Sequence, residues 1–192
     1  MIVFTSISMN YLPKAFAMAA SLRRFHTNWQ IHLLINDKIT REDQALLDAK
    51  IAEGLIDQFV LIDALPIENK ANWIRKHTLV ELCTATKGVY LKVLADSGAD
   101  KILYIDPDMI IFNSLEPVEK RLDESAILLA PHLLDYDDTP QAILDNEIMG
   151  AMRHGTFNLG FLAINATRED GRRFVDWWHL RLRDYCYASY PN

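Results

Sequence analysis

Two aspartates that follow an apolar segment are the residues of this sequence best suited to chemistry. Lys101–Ile105 is almost wholly apolar, and Asp106 and Asp108 come directly after it with Pro107 between them. Side chains at positions i and i+2 of an extended chain point the same way, so both carboxylates would face one site. Hard oxygen ligands of this kind suit Mg²⁺ or Mn²⁺. Aspartates also end strands by bonding to nearby backbone amides, so a turn without metal is the alternative.

Polar residues also follow the two N-terminal segments that have strand character. Thr5 and Ser6 close the first segment, and Asn10 and Tyr11 come next, before a segment with helical character. The amino end of a helix attracts anions, and a tyrosine ring can stack on a nucleotide base. Asp37 follows the second segment, where a carboxylate can contact a ribose or a base. These five residues are candidate nucleotide contacts, with helix caps and plain turns as the alternatives.

Three further residues are candidates because of their positions in the sequence. Lys92 lies on a predicted helix that precedes the two aspartates, and it is either a phosphate contact or a solvated side chain. Asn158 is polar within an apolar strand, and Gly160 would let a ligand approach the backbone closely. Because both residues weaken a strand, they favour a functional explanation, with a β-bulge as the alternative.

Electrostatics connects the two aspartates to a phosphorylated ligand. Bare carboxylates repel a diphosphate, and each such contact at about 4 Å costs roughly 4 kcal/mol at an effective dielectric constant of about 20. A divalent cation reverses this repulsion because it bridges carboxylate and phosphate oxygens. Mg²⁺ and Mn²⁺ typically bind through one or two carboxylates together with substrate phosphates, such as the diphosphate of a sugar nucleotide, and the pair found here matches that pattern.

Strand and helix patterns alternate along the chain and position these residues. Strands are predicted at 2–6, 31–35, 59–62, 101–105, 127–130 and 157–164, and helices at 13–25, 40–54, 78–97 and from 167 onward. Thr40 with Asp43 and Thr167 with Asp170 are expected to begin two helices, and Gly88 is expected to break another. The alternating order predicts an α/β fold, a mainly parallel central sheet with helices on both faces. In such sheets, ligands bind at the carboxyl ends of the strands.

Composition restricts the class of protein. The 192 residues suffice for a single domain, 1–192, and half of them are hydrophobic, as a globular core requires. The formal charge is −6, from 26 acidic and 20 basic residues, and no basic stripe indicates a nucleic-acid partner. Cys83 and Cys186 stand alone, which favours a reducing compartment. With no signal-like start and no apolar stretch near the ~20 residues of a membrane helix, we expect a cytoplasmic protein.

Three motifs in this order resemble those of GT-A-fold glycosyltransferases. They are the segment 2–8 with Asn10 and Tyr11, the pair Asp106 and Asp108, and the segment 157–165. The sequence is most similar to the family 8 type and to related bacterial enzymes of surface-polysaccharide synthesis. The resemblance implies a GT-A fold that binds a nucleotide diphosphate sugar, expected to be a UDP-sugar. It implies hexose transfer to a saccharide or lipid-linked acceptor, Mn²⁺ or Mg²⁺ as cofactor, and a peripheral position at the inner membrane face.

The resemblance gives each residue on the nucleotide side a role. It implies that Thr5, Ser6 and Tyr11 line the nucleoside pocket. It also implies that Asp37 lies near the base or the ribose. Lys92 would take the place of a basic residue that approaches the donor diphosphate or sugar.

On the metal and acceptor sides, the resemblance implies that Asp106 reaches the ribose and the metal, while Asp108 is the firmer metal ligand. Asn158 and Gly160 would line the sugar and acceptor side. His132 follows the predicted strand at 127–130 and falls where such enzymes contact the donor sugar. A structural role is the alternative for this single histidine.

The chain departs from the family pattern near its C-terminus. Family members continue with an Asp-Gln pair near the reaction centre and a late histidine that completes the metal shell, whereas this sequence stops at Tyr190–Asn192. We therefore expect a chain without its C-terminal part, whose partly bare last helix favours self-association. Two alternatives to glycosyl transfer stay open. One is a haloacid-dehalogenase-type phosphatase, against which the spacing of Asp137 and Asp138 counts, and the other is a sugar-nucleotide-binding module without turnover.

Overall fold

The computed structural model describes residues 1–135 and 138–187 and contains a six-stranded sheet. Asp137 and Tyr190–Asn192, which entered the sequence predictions, lie outside these residues. The strands are β1 (Ile2–Ile7), β2 (Gln30–Ile35), β3 (Gln58–Leu61), β4 (Lys101–Ile105), β5 (Ile127–Pro131) and β6 (Phe157–Asn165). They are arranged in the order β3-β2-β1-β4-β6-β5.

The sheet is parallel on one side and antiparallel on the other. Strands β3, β2, β1 and β4 pair in parallel, whereas β6 runs antiparallel to both β4 and β5. The predicted α/β fold with a mainly parallel sheet is therefore confirmed. Because β6 is reversed, its first residues lie at the same edge of the sheet as the last residues of β1 and β4.

Helices cover both faces of this sheet. They are α1 (Leu12–Arg23), α2 (Arg41–Ala52), α3 (Lys70–Arg75), α4 (Leu79–Asp96), α5 (Glu116–Glu124), α6 (Pro140–Ala142), α7 (Ala151–His154) and α8 (Glu169–Tyr185), with a π-helix at Ile143–Gly150. Alternate strand residues face opposite layers. Ile102 and Tyr104 pack in the layer of α4 and α8, whereas Leu103 and Ile105 pack in the layer of α1, α2 and α5. Among the described helices, none is long and apolar enough to cross a membrane.

The residues predicted to begin two helices do so in α2 but not in α8. Thr40 and Asp43 form the expected capping box at the start of α2. The prediction that Thr167 opens the last helix is wrong, because α8 begins after Arg168 without a side-chain cap. The Thr167 hydroxyl instead donates to Asn165 Oδ1 at 2.6 Å, so this side chain stabilises the turn after β6.

Gly88 does not break its helix, contrary to the sequence prediction, since α4 runs continuously from Leu79 to Asp96. The glycine is buried where α4 crosses α8. A Cβ atom at this position would lie 3.1 Å from the Cα of His179 and 3.1 Å from a methyl carbon of Leu182. Gly88 therefore permits close helix packing, and tertiary contact outweighs its low helix propensity.

Three histidines make the stability of the fold depend on pH. Burial lowers the pKa of His26, His32 and His179 below the ordinary value of 6.5. The unfolded chain therefore binds protons at pH values where the folded chain does not. We expect the free energy of unfolding to fall as the pH is lowered from about 7.5 to about 5. Urea denaturation across this range measures it, and a free energy that stays constant or rises toward low pH would contradict the expectation.

Candidate active site

A cleft of about 310 Å³, which we call the aspartate cleft, lies at the carboxyl ends of β1 and β4. Its walls are formed by Ser6, Ile7, Ser8, Asn10, Tyr11, Leu79, Val80, Cys83, Thr84, Lys87, Tyr104, Asp106, Pro107 and Asp108. Five of the residues predicted from the sequence thus meet here: Ser6, Asn10, Tyr11, Asp106 and Asp108. The cleft lies where parallel α/β sheets bind their ligands.

Asp106 is held on one side and open on the other. Its Oδ1 accepts a hydrogen bond from the Tyr104 hydroxyl and another from Lys87 Nζ at 3.1 Å. Its backbone N–H donates to the carbonyl of Gly160 at 2.8 Å. Within the described part of the chain, no hydrogen bond reaches Asp106 Oδ2. One carboxylate oxygen is therefore fixed by the protein, and the other is available to a ligand.

Asp108 reaches the same cleft through a turn. The chain leaves the extended conformation after Ile105, and Met109 N–H donates to the carbonyl of Asp106 at 3.2 Å across this turn. The two carboxylates are thus brought together by the turn rather than by the alternation of a strand. Asp108 is exposed, whereas Pro107 beside it is buried.

The chemistry of this donor set suits a hard divalent cation. Asp106 Oδ2 and the Asp108 carboxylate supply oxygens, which Mg²⁺ and Mn²⁺ prefer. Among residues 1–135 and 138–187, no group of three or more histidine, cysteine or acidic side chains is arranged to hold a metal ion. A cation here would complete its shell with water and phosphate oxygens, as Mg²⁺ commonly does.

The lysine of this cleft is Lys87, not the predicted Lys92. The Lys87 side chain is 10% exposed, and its Nζ lies 4.3 Å from the centroid of the Tyr104 ring. Lys92 does not line the cleft, because its Nζ pairs with Asp96 at 2.7 Å and with Asp176 at 3.1 Å. Both lysines belong to α4, but five residues at about 3.6 per turn place them on different sides of the helix.

Ser6 is structural in its observed contacts. Ser6 lines the cleft, but its hydroxyl donates to the carbonyl of Cys83 at 2.7 Å and accepts from Asn36 Nδ2 at 2.8 Å. It therefore ties β1 to α4 and to the end of β2. Thr5 is completely buried and is not part of the cleft wall.

Asp37 has the turn role that the sequence left open. Its Oδ2 accepts from Met9 N–H at 2.6 Å and fixes the 3₁₀ turn Met9–Tyr11. This turn carries Asn10 and Tyr11 to the cleft. Asn10 Oδ1 accepts from the Ser8 hydroxyl, and Tyr11 presents a half-buried ring with Lys14 Nζ 4.3 Å from its centroid.

Comparison with known proteins identifies the family. The sequence profile of Glycosyl transferase family 8 matches residues 2–183. The chain belongs to this family. A comparison with curated proteins finds no significant match.

Solved structures with a similar fold include three glycosyltransferases. The galactosyltransferase LgtC, in complex with donor and acceptor sugar analogs, is 20% identical over 99% of this chain and 67% of its own, with a TM-score of 0.59. The glycosyltransferase GlyE of Streptococcus pneumoniae is 19% identical over 98% and 40% of the two chains, with a TM-score of 0.54. The mannosyltransferase Ktr4p of S. cerevisiae is 10% identical over 97% and 62%, with a TM-score of 0.56. At these identities the likeness establishes the GT-A fold, and the chain spans between 40% and 67% of their lengths.

In this family 8 chain, Asn158 and Gly160 adjoin the aspartate site. Gly160 N–H donates to Asn158 Oδ1 at 2.8 Å. A Cβ atom on Gly160 would lie 3.0 Å from Asp106 Oδ2 and 2.9 Å from the terminal carbon of Met109. Glycine is therefore needed for the close approach of the carboxylate. The β5–β6 register also shifts between Leu129 and Ala130, so the strand pairing beside the site is irregular, as the alternative of a β-bulge implied.

His132 lies at a second cavity of the family 8 chain, of about 750 Å³, beside the connection between β5 and β6. The ring Nδ1 of His132 is 2.8 Å from the carbonyl of Gly155, and its backbone N–H donates to the carbonyl of Thr156 at 3.0 Å. The structure therefore does not place His132 in the wall of the aspartate cleft. His154 and Glu147 line the same second cavity.

Two side chains near Asp106, Cys83 and Tyr104, are kept protonated by their surroundings. Burial raises the pKa of the Cys83 thiol to about 11, which leaves it a poor nucleophile at neutral pH. Burial and the neighbouring Asp106 carboxylate raise the pKa of Tyr104 well above its usual range, so its hydroxyl stays a donor. Sequence reasoning missed Tyr104 and Lys87. The i, i+2 relation of Tyr104 to Asp106 and a lysine on the apolar face of α4 were signals for them.

Proposed function

We propose that residues 1–192 form the nucleotide-sugar-binding domain of a metal-dependent glycosyltransferase. The enzyme transfers a hexose from a nucleotide diphosphate sugar, a UDP-sugar by the family resemblance, to a saccharide or lipid-linked acceptor. The observation that carries the proposal is that Asp106 Oδ2 and Asp108 share one cleft with Lys87 and Tyr11. Family membership supports it, as does the fold likeness to LgtC, which binds donor and acceptor sugar analogs.

Asp106 and Asp108 would hold Mn²⁺ or Mg²⁺ in this proposal. When bound, the divalent cation neutralises charge on the diphosphate and stabilises it as a leaving group. Tyr104 orients Asp106 by its hydrogen bond to Oδ1 and leaves Oδ2 directed to the ligand. Asp108 is exposed, so its carboxylate is accessible to the cation.

Lys87 and Tyr11 act on the donor in the same proposal. Lys87 carries a buried positive charge at the floor of the cleft, where it attracts the diphosphate or the sugar. The Tyr11 ring supplies an aromatic surface for the base. Asn10 supplies an exposed amide for the ribose or the base, while Ser6 and Asp37 position the surrounding backbone.

The acceptor side is assigned to the start of β6 and to the connection before it. Asn158 and Gly160 lie next to Asp106, where the transferred sugar would stand. His132 belongs to the larger second cavity, which is open enough for a saccharide and is proposed as part of the acceptor side.

We also propose a cytoplasmic location, peripheral at the inner membrane face. Cys83 and Cys186 are free thiols, which fits a reducing compartment. A lipid-linked acceptor would place the enzyme at a membrane surface.

Self-association of the chain through α8 is part of the proposal. Trp177 and Tyr185 of this helix are 51% and 70% exposed, and such apolar surface supports self-association.

Titration calorimetry with UDP, in the presence of Mn²⁺ or of a chelator, tests the donor proposal. We expect binding with Mn²⁺ and at least about tenfold weaker binding with chelator, because two carboxylates would then face the diphosphate alone. Equal affinity under both conditions would contradict metal dependence.

A panel of UDP-hexoses incubated with Mn²⁺ then separates transfer from its alternatives. Release of UDP with each suitable acceptor supports the glycosyltransferase. Binding without release would indicate a module without turnover. A separate incubation with hexose phosphates tests the phosphatase: transfer of the phosphoryl group to Asp106, with release of the free sugar, and its hydrolysis to inorganic phosphate would indicate that class.

A further inference from the structure

The loop that carries Asp108 has no regular secondary structure between the end of β4 and the start of α5. Its apolar side chains Met109, Ile111 and Leu115 pack in the same apolar layer as α1. Its backbone amides cannot pair within a helix or strand, so other groups must satisfy them. The position of Asp108 therefore depends on what holds this loop.

Two buried polar side chains behind the loop accept hydrogen bonds from two of its amides. Ser21, on α1, accepts from Ile111 N–H at 2.9 Å through its Oγ and donates to the carbonyl of Met18 at 2.7 Å. His26, just after α1, accepts from Leu115 N–H at 2.8 Å through its Nε2. Ser21 is 8% exposed and His26 is 6% exposed.

The His26 ring is itself fixed in place. It stacks on Trp29 with 3.7 Å between ring centroids and an interplanar angle of 17°. An acceptor nitrogen held this way points steadily at the loop backbone. Ser21 is equally constrained, because its hydroxyl is anchored to its own helix.

We propose that Ser21 and His26 are positioning residues for Asp108, because they hold the backbone of its loop at Ile111 and Leu115. The inference rests on the proposed function, in which Asp108 binds the cation. Neither residue lines the aspartate cleft, and both act through the loop. The loop is pinned between these anchors and the turn at Asp106, so Asp108 enters the cleft with little freedom.

The His26 anchor works only while the imidazole is neutral, since a protonated Nε2 cannot accept a hydrogen bond. Burial lowers the pKa of His26, while Glu119 and Glu116 of α5 act in the opposite direction. At neutral pH the acceptor is present. Protonation at lower pH removes it and frees the loop.

The experiment compares His26→Phe and Ser21→Ala with a matched control, His32→Phe. His32 is also buried and its Nδ1 bonds to the Tyr90 hydroxyl at 2.8 Å, but it lies in the layer of α4. The first measurement is amide hydrogen exchange of residues 109–115 without metal. The second is the affinity for UDP in the presence of Mn²⁺.

We expect faster exchange at 109–115 in both anchor variants and about tenfold weaker Mn²⁺-dependent UDP binding, as for outer-shell partners of metal ligands. His32→Phe should lower the midpoint of urea unfolding but leave both readouts at the wild-type value. His26→Gln restores an acceptor that does not titrate. This variant should recover the affinity for UDP. The wild-type affinity should fall between about pH 7 and about pH 5.5, and in His26→Gln that fall should be smaller.

Exchange at 109–115 that is unchanged in Ser21→Ala and His26→Phe would overturn the inference. So would an equal loss of affinity in His32→Phe. If wild-type protein binds UDP equally with Mn²⁺ and with chelator, the proposed function fails. The exchange measurement then still decides whether these two residues hold the loop.

Discussion

Asp108→Asn is expected to weaken Mn²⁺-dependent binding of UDP about 100-fold, the upper end of the range for outer-shell partners of metal ligands, because Asp108 would bind the cation directly. The substitution keeps the shape of the side chain and removes its charge, so the cation loses an ionic ligand. Asp108 is exposed and makes no ion pair within residues 1–135 and 138–187, so the fold should be unaffected. Calorimetry gives the affinity, and a thermal melt followed by circular dichroism checks the fold.

The matched control for this change is Asp48→Asn, which neutralises a different exposed carboxylate that lies on α2, outside the cleft. Its UDP affinity should equal that of the wild type. If Asp108→Asn also keeps wild-type affinity with Mn²⁺, then the carboxylate pair does not bind the cation.

Lys87→Met should weaken UDP binding about 10- to 100-fold at saturating Mn²⁺. The change removes a buried cation that can form charged hydrogen bonds, each of which contributes about 1.5–3 kcal/mol. It also removes the ion-pair partner that lies 3.1 Å from Asp106 Oδ1, so the negative charge of Asp106 beside the diphosphate is no longer compensated. Calorimetry at a fixed, saturating Mn²⁺ concentration measures the effect.

Lys92→Met provides the control within the same helix. Lys92 pairs with Asp96 and Asp176 away from the cleft, so its loss should leave UDP affinity within about twofold of the wild type. An equal loss in both variants would show that the net charge of α4, and not the position of Lys87, governs binding.

The fold could be predicted because its signals are local. Apolar runs of strand length, separated by helical patterns, give the six strands and the mainly parallel order. The capping box at Thr40 and Asp43 is a contact between residues three apart, so it can be predicted from the sequence. Gly88 could not be interpreted this way, because its reason is the approach of α8, which is about ninety residues distant.

The candidate site was predictable where it depends on strand ends and not where it depends on rotation about a helix. Asp106, Asp108, Asn10 and Tyr11 follow strands, and the parallel topology brings such ends to one edge. The choice between Lys87 and Lys92 depends instead on which side of α4 faces the sheet. Thr86 and Leu91 are buried near Lys87, so this lysine stands on the covered side of α4. The apolar neighbours of Lys87 indicate that side, but the residue type of a lysine alone does not.

The reversed direction of β6 has an evolutionary consequence. The connection between β5 and β6 leaves the sheet and returns to it at the edge where the cleft lies, while β1 and β4, which carry the proposed nucleotide contacts, run the other way through the core. Insertions or substitutions in that connection can remodel one side of the pocket without shifting the register of β1 and β4. Descendants of such a scaffold can therefore change the molecule that is glycosylated while they inherit the same machinery for the activated sugar.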